Sequence, residues 1–236
     1  MTTAFVAGAT GYTGREVVRI LAERGADVAA HVRPDSSRLG EWRRRFEGMG
    51  ARVDATPWEP GAMAATLTAL RPTHIFALLG TTRARARTAE RVGGAAADYE
   101  AVDYGLTALL LRASVQSGAR PRFVYLSALG ARPDTANAYL RVRGRLEAEI
   151  RASGLSYLIV RPSFITGPDR DESRPAERAA AVAVDAALRV AAALGARRLR
   201  ARYRSRTGAE LAEALVRLAT GPGATDRIIE PENLGG

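Results

Sequence analysis

The chain has 236 residues, of which 47% are hydrophobic and 25% charged, and these are the proportions of a soluble globular protein. It contains no cysteine, which excludes disulfides, thiolate nucleophiles and cysteine-ligated metals, and the two separated histidines, His31 and His74, argue against a histidine metal site. All 35 basic side chains are arginines, spread along the chain, and they give a net charge of +10. We therefore expect a solvated basic surface, no bound metal and no nucleic-acid partner.

Apolar, strand-like runs alternate with stretches of helical periodicity from one end of the chain to the other. Strands are predicted over residues 3–8, 27–32, 52–55, 74–79, 122–127, 156–161 and 227–229. This alternation predicts an α/β fold, a Rossmann-type doubly wound parallel sheet with helices on both faces. Because ligands of such sheets bind outside the carboxyl ends of the strands, we expect the functional residues to lie just after strands.

A glycine-rich turn follows the first strand and opens a helix at about Thr13. Three glycines at this place let the chain turn tightly, bring the backbone close to phosphate oxygens and let the helix pack on the strand. The amide groups at the helix start then attract a negative pyrophosphate. We therefore predict a nicotinamide cofactor here, bound by Gly8, Thr10, Gly11, Tyr12, Thr13 and Gly14.

The second strand ends in Arg33, where NAD-selective folds place an acidic residue that accepts the ribose 2′-hydroxyl. A guanidinium cannot accept that hydrogen bond but suits a 2′-phosphate, and Arg38 supplies further donors. We therefore predict that NADP(H) is preferred over NAD(H). In the alternative interpretation Arg33 is one more surface arginine and Asp35 binds the ribose. Cofactor contacts are also predicted for the end of the fourth strand, at Gly80, Thr81 and Thr82.

A serine, a tyrosine and an arginine are placed where a catalytic site is expected. Ser127 ends the fifth strand, and Tyr139 begins a helix that also carries Arg143. Because Tyr139 and Arg143 are four residues apart, they share one face of that helix. Beside a nicotinamide, the tyrosine would transfer a proton, the serine would orient a carbonyl, and the cation would favour tyrosinate and hold the ribose.

At these residues the chain resembles the short-chain dehydrogenase/reductase superfamily, in its atypical NAD(P)H-binding branch, and is most similar to the Tat-interacting-protein-type oxidoreductases. The similar stretches are GATGYTGREV (8–17), LLGTTR (78–83), VDYG (102–105), FVYLSALGA (123–131), YLRVRGRLEAEI (139–150) and RPSFITGPDRDESRPAE (161–177). The resemblance implies that Ser127 and Tyr139 are catalytic and that Asp103 lies near the cofactor side of its helix. It also implies that the nicotinamide is bracketed by Pro162, Ser163 and Phe164.

One position departs from the superfamily pattern Tyr-x-x-x-Lys, because Arg143 stands where the lysine is expected. In one interpretation, a general bias toward arginine replaced the lysine and kept its charge. In the other, selection for catalysis has lapsed and the protein binds NADPH as a sensor or scaffold. We predict an NADPH-dependent reductase of a small, uncharged or weakly polar carbonyl compound, with the regulatory NADPH-binding protein as the alternative.

No repeat or low-complexity linker divides the chain, so we predict one NAD(P)-binding Rossmann domain over residues 1–236, in which residues 162–207 form a small substrate lid. An alanine-rich helix is predicted over 176–194, with charges that prevent it from spanning a membrane, and a last helix begins with a capping box of Thr207 and Glu210. No basic leader precedes the first strand, and we expect a cytoplasmic protein without a membrane partner. A homodimer is compatible with the sequence.

Overall fold

The computed structural model describes residues 1–80, 99–163, 165, 202–223 and 225–235. The strands are β1 (Thr3–Ala7), β2 (Asp27–His31), β3 (Arg52–Asp54), β4 (His74–Ala77), β5 (Arg122–Leu126), β6 (Tyr157–Val160) and β7 (Arg227–Ile229). All seven pair in parallel, in the order β3-β2-β1-β4-β5-β6-β7. The predicted doubly wound sheet is therefore confirmed, and its strand order reverses between β1 and β4, where such sheets bind their ligands.

The helices of the described ranges are α1 (Tyr12–Glu23), α2 (Leu39–Glu47), α3 (Pro60–Leu70), α4 (Thr107–Gln116), α5 (Ala138–Ala152) and α6 (Gly208–Thr220). A π-helical segment, Tyr99–Leu106, leads directly into α4. The predicted capping box opens α6: Thr207 accepts from the Glu210 amide at 3.1 Å, and Glu210 accepts from the Thr207 amide at 2.8 Å.

Apolar side chains cover both faces of the sheet, as the near-continuous hydrophobic character of buried parallel strands requires. Alternate residues of β1 point to opposite sides, so Val6 packs with α1, α2 and α6 while Phe5 packs with α3, α4 and α5. The apolar stripe of α5 is formed by Val142, Leu146 and Ile150, all buried against the second face. Helices therefore lie on both faces of the sheet, and the polar residues of interest are left at its carboxyl edge.

Part of the predicted carboxyl-terminal arrangement lies outside the described residues. This holds for the helix at 176–194 and for most of the lid at 162–207, of which residues 162, 163, 165 and 202–207 are described. Within the described part, no helix combines the length and the apolar character that crossing a bilayer demands.

Candidate cofactor and active site

The glycine-rich turn between β1 and α1 has the geometry that its three glycines predict. Gly8 has a φ of +81°, and a Cβ there would lie 2.5 Å from the carbonyl oxygen of Leu78. A Cβ on Gly14 would lie 2.1 Å from the Gly8 carbonyl oxygen, and the Gly11 amide donates to that same oxygen at 3.0 Å. Any side chain at Gly8 or Gly14 would therefore push the helix start away from the strand ends.

The start of α1 is suited to hold an anion. Gly11 caps the helix without a side-chain hydrogen bond, and no acidic residue lies in the first turn. Amide groups that no side chain satisfies carry the positive end of the helix dipole. The pyrophosphate of a dinucleotide would be held here by backbone groups of the turn, so the residues present fit the group.

The predicted side chains of this turn differ in their surroundings. Thr10 is partly buried in the turn, and Thr13 is buried in the first turn of α1. The ring of Tyr12 lies against the start of α6, where a Cβ on Gly208 would come within 2.6 Å of two ring carbons. Arg15 also contacts this ring, with its guanidinium 5.3 Å from the Tyr12 ring centre. The last helix is thus anchored directly on the predicted cofactor turn.

Arg33 lies just beyond β2, at the same edge of the sheet as the glycine-rich turn, because β1 and β2 are parallel neighbours. Its side chain is exposed, and Nη1 lies 3.5 Å from Asp35. Arg38 is held by Glu41 at 2.6 Å and stacks over Trp42. Arg33 is therefore exposed and only weakly paired with Asp35, whereas Arg38 is tied to Glu41 and Trp42 of its own helix.

Tyr139 and Arg143 share a face of α5, as their spacing predicts. The Arg143 guanidinium lies 5.0 Å from the centre of the half-buried Tyr139 ring, and the Tyr99 ring packs on Tyr139 at 5.4 Å. Tyr139 is thus held between an aromatic ring and a cation at the beginning of α5.

The guanidinium of Arg143 is almost fully buried and is surrounded by acceptors. Nη2 donates to Asp103 at 2.6 Å and to the Leu79 carbonyl at 3.4 Å, while Nη1 donates to the Leu126 carbonyl. The side chains of Arg143 and Asp103 are 6% and 1% exposed, respectively. Leu79 follows β4 and Leu126 ends β5, so this one side chain joins two strand ends, the π-helical segment and α5.

Electrostatics keeps the Arg143 guanidinium charged. Burial alone lowers the pKa of Arg143, but the neighbouring Tyr125, Tyr139 and Asp103 outweigh it and raise the pKa above its ordinary value. Burial raises the pKa of the Tyr125 phenol, which therefore stays neutral beside the guanidinium. Asp103 was expected on the cofactor side of its helix, and in the structure it is the counter-ion of Arg143.

Gly80 makes room for that ion pair. A Cβ on Gly80 would lie 2.9 Å from Nη2 of Arg143 and 3.4 Å from the Asp103 carboxylate. The glycine was predicted as a cofactor contact, and the structure gives it this further role. Thr81 and Thr82, predicted beside it, lie outside the described residues.

Ser127 is buried at the end of β5, and its hydroxyl is engaged by a residue that sequence reasoning missed. Oγ donates to Glu147 at 2.5 Å, and Arg161 donates to both oxygens of the same carboxylate, at 2.9 and 2.5 Å. Glu147 follows Tyr139 and Arg143 on one helical row at intervals of four residues. A charged residue at that spacing, beside an apolar stripe, was the available signal.

The residues after β6 close this side of the site. Pro162 is buried and its carbonyl accepts from the Leu129 amide at 3.0 Å, while the Ser163 hydroxyl donates to the Arg204 carbonyl at 2.9 Å. The predicted contact Phe164 lies outside the described residues. Segments 162–163 and 204–206 are thus joined at the sheet edge that carries Ser127.

Known proteins resemble this chain in sequence and in fold. The mitochondrial protein fmp52 of Aspergillus fumigatus is 33% identical over 181 residues, which cover 73% of this chain and 70% of that protein. The chloroplastic divinyl chlorophyllide a 8-vinyl-reductase of Oryza sativa subsp. indica is 37% identical over 172 residues, which cover 69% of this chain and 40% of the reductase. The structure of ChuY, an anaerobilin reductase of Escherichia coli O157:H7, superposes with a TM-score of 0.63 at 16% identity and 98% coverage of both chains, which shows a shared fold.

The comparisons correct one expectation. The chain was expected to be cytoplasmic because no leader was recognised, but the fmp52 relatives from several fungi are mitochondrial proteins. The cytoplasmic prediction is therefore wrong. Its weakness is physical, because the composition of a folded domain reflects solubility and packing and carries no information about the compartment.

The predicted resemblance is confirmed over most of the chain. The profile of the NAD(P)H-binding family matches residues 8–192, a range that begins at the first glycine of the turn and includes Ser127, Tyr139 and Arg143. The chain therefore belongs to the NAD(P)H-binding family, within the fold of the short-chain dehydrogenases and reductases.

Proposed function

We propose that the protein is an NADPH-dependent reductase of a small carbonyl compound. The observation that carries the proposal is the position of Arg143, which contacts Tyr139 on α5 and the carbonyl of Leu79 just beyond β4. Because β4 is the neighbour of β1 at the reversal of strand order, this contact supports a position of Tyr139 near the glycine-rich turn.

The cofactor end of the site supplies binding and orientation. The turn from Gly8 to Gly14 would hold the pyrophosphate with backbone amides. Arg33 would leave its present partner Asp35 and bind the 2′-phosphate instead. An exposed pair such as Arg33 and Asp35 contributes little free energy, so opening it for a phosphate costs little. When bound, the nicotinamide supplies a hydride for the substrate. Preference for NADP(H) follows from the positive charge at the end of β2.

The α5 end of the site supplies a proton. The Tyr139 hydroxyl would donate to the carbonyl oxygen as the negative charge develops there, and would be reprotonated from solvent. The Arg143 guanidinium, 5.0 Å from the ring centre, brings a positive charge beside the phenol that gives up this proton. Ser127 is the polar side chain at the end of β5 that would contact the substrate.

Similarity to a named reductase supports the direction of the reaction. The relative from Oryza sativa is a vinyl reductase that shares 37% of the aligned residues. Reduction is therefore supported by a relative as well as by the residues, whereas the choice of a carbonyl substrate rests on Tyr139 and Arg143, which contact each other on α5.

The alternative is a regulatory protein that binds NADPH without turnover. One observation favours it: Asp103 neutralises Arg143, so part of the charge that would assist Tyr139 is balanced within the protein. In this case NADPH would change the affinity for a partner or the susceptibility of residues 169–177 to protease, without being consumed.

Direct titration and turnover measurements separate the two functions. We expect purified protein to bind NADPH and to oxidise it in the presence of members of a broad carbonyl panel. Tyr139→Phe should keep the NADPH affinity and lower turnover by roughly 10²–10⁴, the range for loss of a general acid. Tyr157→Phe is the matched control, because Tyr157 begins β6 at the opposite edge of the sheet. NADPH binding without oxidation of any panel member would favour the regulatory protein, and equal turnover by Tyr139→Phe would show that the tyrosine is structural.

A further inference from the structure

The chain Ser127, Glu147, Arg161 crosses from β5 through α5 to the end of β6. Ser127 and Glu147 are 3% and 4% exposed, and 2.5 Å separates Ser127 Oγ from Glu147 Oε1. Nε and Nη2 of Arg161 hold the two Glu147 oxygens, at 2.9 and 2.5 Å. Arg161 is itself fixed by Glu230 at 2.8 Å and by the Ala131 carbonyl at 3.3 Å. Every member of this chain therefore has a defined partner.

These contacts determine where the serine proton lies. A carboxylate that receives two parallel hydrogen bonds from a guanidinium is ionised, and an ionised carboxylate can only accept. Glu147 therefore accepts from Ser127, and the hydroxyl proton of Ser127 points to Glu147. A buried carboxylate that lost this donor would be left partly unsatisfied, which opposes rotation of the hydroxyl toward another acceptor.

We propose that Glu147 is a positioning residue that fixes Ser127 as a hydrogen-bond acceptor toward the crevice. This inference rests on the proposed function, because it takes Ser127 to be the substrate contact at the end of β5. The position then recognises a ligand group that donates, an alcohol O–H or an N–H, and gives no hydrogen bond to a carbonyl oxygen. Ser127 consequently stabilises the bound alcohol, whereas the carbonyl form depends on Tyr139 for its hydrogen bond.

The proton position is tested directly by neutron diffraction from deuterium-exchanged crystals of the full chain. We expect a deuteron bonded to Ser127 Oγ and directed at Glu147 Oε1, with Glu147 free of deuterium. A deuteron bonded to Glu147, or a Ser127 deuteron directed into the crevice, would overturn the proposal. This measurement needs no turnover, so it remains decisive if the protein proves to be a regulatory NADPH binder.

Ligand binding tests the acceptor role. Affinities for an alcohol and for the carbonyl compound of the same redox pair are measured by calorimetry in the non-reacting mixtures, alcohol with NADPH and carbonyl with NADP⁺. Ser127→Ala should lower the affinity for the alcohol roughly two- to tenfold, the contribution of one hydrogen bond, and leave the affinity for the carbonyl compound unchanged. Ser114→Ala is the matched control, because this buried hydroxyl donates to the Leu110 carbonyl within α4, away from the carboxyl edge of the sheet.

The outcomes separate the two levels of inference. If Ser127→Ala weakens the binding of the carbonyl compound as much as that of the alcohol, or weakens the binding of neither, the acceptor role is wrong while the reductase proposal stands. If none of the carbonyl compounds on the panel makes the wild-type protein oxidise NADPH, the reductase proposal fails. The neutron result then decides the position of the proton by itself. Glu147→Gln, where it folds, should reverse the preference, because the amide N–H can donate to Ser127 and release its proton for a carbonyl oxygen.

Discussion

The ion pair between Arg143 and Asp103 should be one of the strongest single interactions between α5 and the segment that precedes α4. At an N–O distance of 2.6 Å and an effective dielectric constant of about 20, the Coulomb attraction amounts to about 6 kcal/mol. Desolvation offsets much of this attraction, but removal of one partner leaves a buried charge without compensation. We therefore expect Asp103→Asn or Arg143→Met to cost roughly 3–5 kcal/mol of unfolding free energy.

The same two elements contain a matched exposed pair. Arg145 on α5 and Glu100 in the π-helical segment are 2.7 Å apart, with side chains 40% and 49% exposed. Exposed pairs of this kind contribute about 0.2–1 kcal/mol. Two double-mutant cycles, one on each pair, compare a buried and an exposed salt bridge across one interface while nearly everything else is constant.

Urea unfolding, which gives the free energies for the cycles, and thermal unfolding, which gives Tm, are the assays, each at low and at high salt. For a chain of this size each kcal/mol shifts Tm by about 2–4 °C, so breaking the buried pair should lower Tm by roughly 6–20 °C and breaking the exposed pair by less than about 4 °C. At 1 M salt, where the Debye length is about 3 Å, the coupling in the exposed cycle should fall while that in the buried cycle persists. A buried coupling energy no larger than the exposed one, or one that salt removes, would refute the reasoning.

Three further predictions concern the cofactor and the pH dependence of stability. In fluorescence titrations, Arg33→Ala should weaken the binding of NADPH roughly ten- to hundredfold and leave the binding of NADH unchanged. Arg43→Ala, which removes another exposed arginine, is the control and should change the binding of neither cofactor. Equal losses for both cofactors would show that Arg33 does not bind the phosphate. Gly14→Val should abolish binding of both cofactors, because even a Cβ would lie 2.1 Å from a carbonyl oxygen, whereas Gly61→Ala, in open space at the start of α3, should bind normally. Burial lowers the pKa of His31, so the unfolded chain binds this proton more readily. The unfolding free energy should therefore decrease as the pH falls below about 6.5, and less steeply in His31→Gln; equal slopes would assign the dependence to other groups.

Much of the fold and part of the candidate site could be predicted from the sequence, because their signals are local. Each strand is an apolar run bounded by turn residues, and all seven lie within two residues of their predicted ends. The glycine-rich turn was recognisable because its glycines have fixed spacing, and Gly8 and Gly14 meet the backbone as that spacing requires. Tyr139 and Arg143 share a helical face for the same reason, since an α-helix repeats every 3.6 residues.

Contacts between distant parts of the chain were decided only by the tertiary structure. Arg143 finds Asp103 forty residues away, and Ser127 finds Glu147 twenty residues away, because the order of the strands brings these segments to one edge. No spacing along the chain encodes such partners. Gly80 similarly reads as a turn residue, and only the packed structure shows that its missing side chain leaves room for a guanidinium. The residue types and their places on strands and helices follow from local periodicity, whereas the charge balance and the direction of each hydroxyl proton depend on which neighbours the completed sheet brings together.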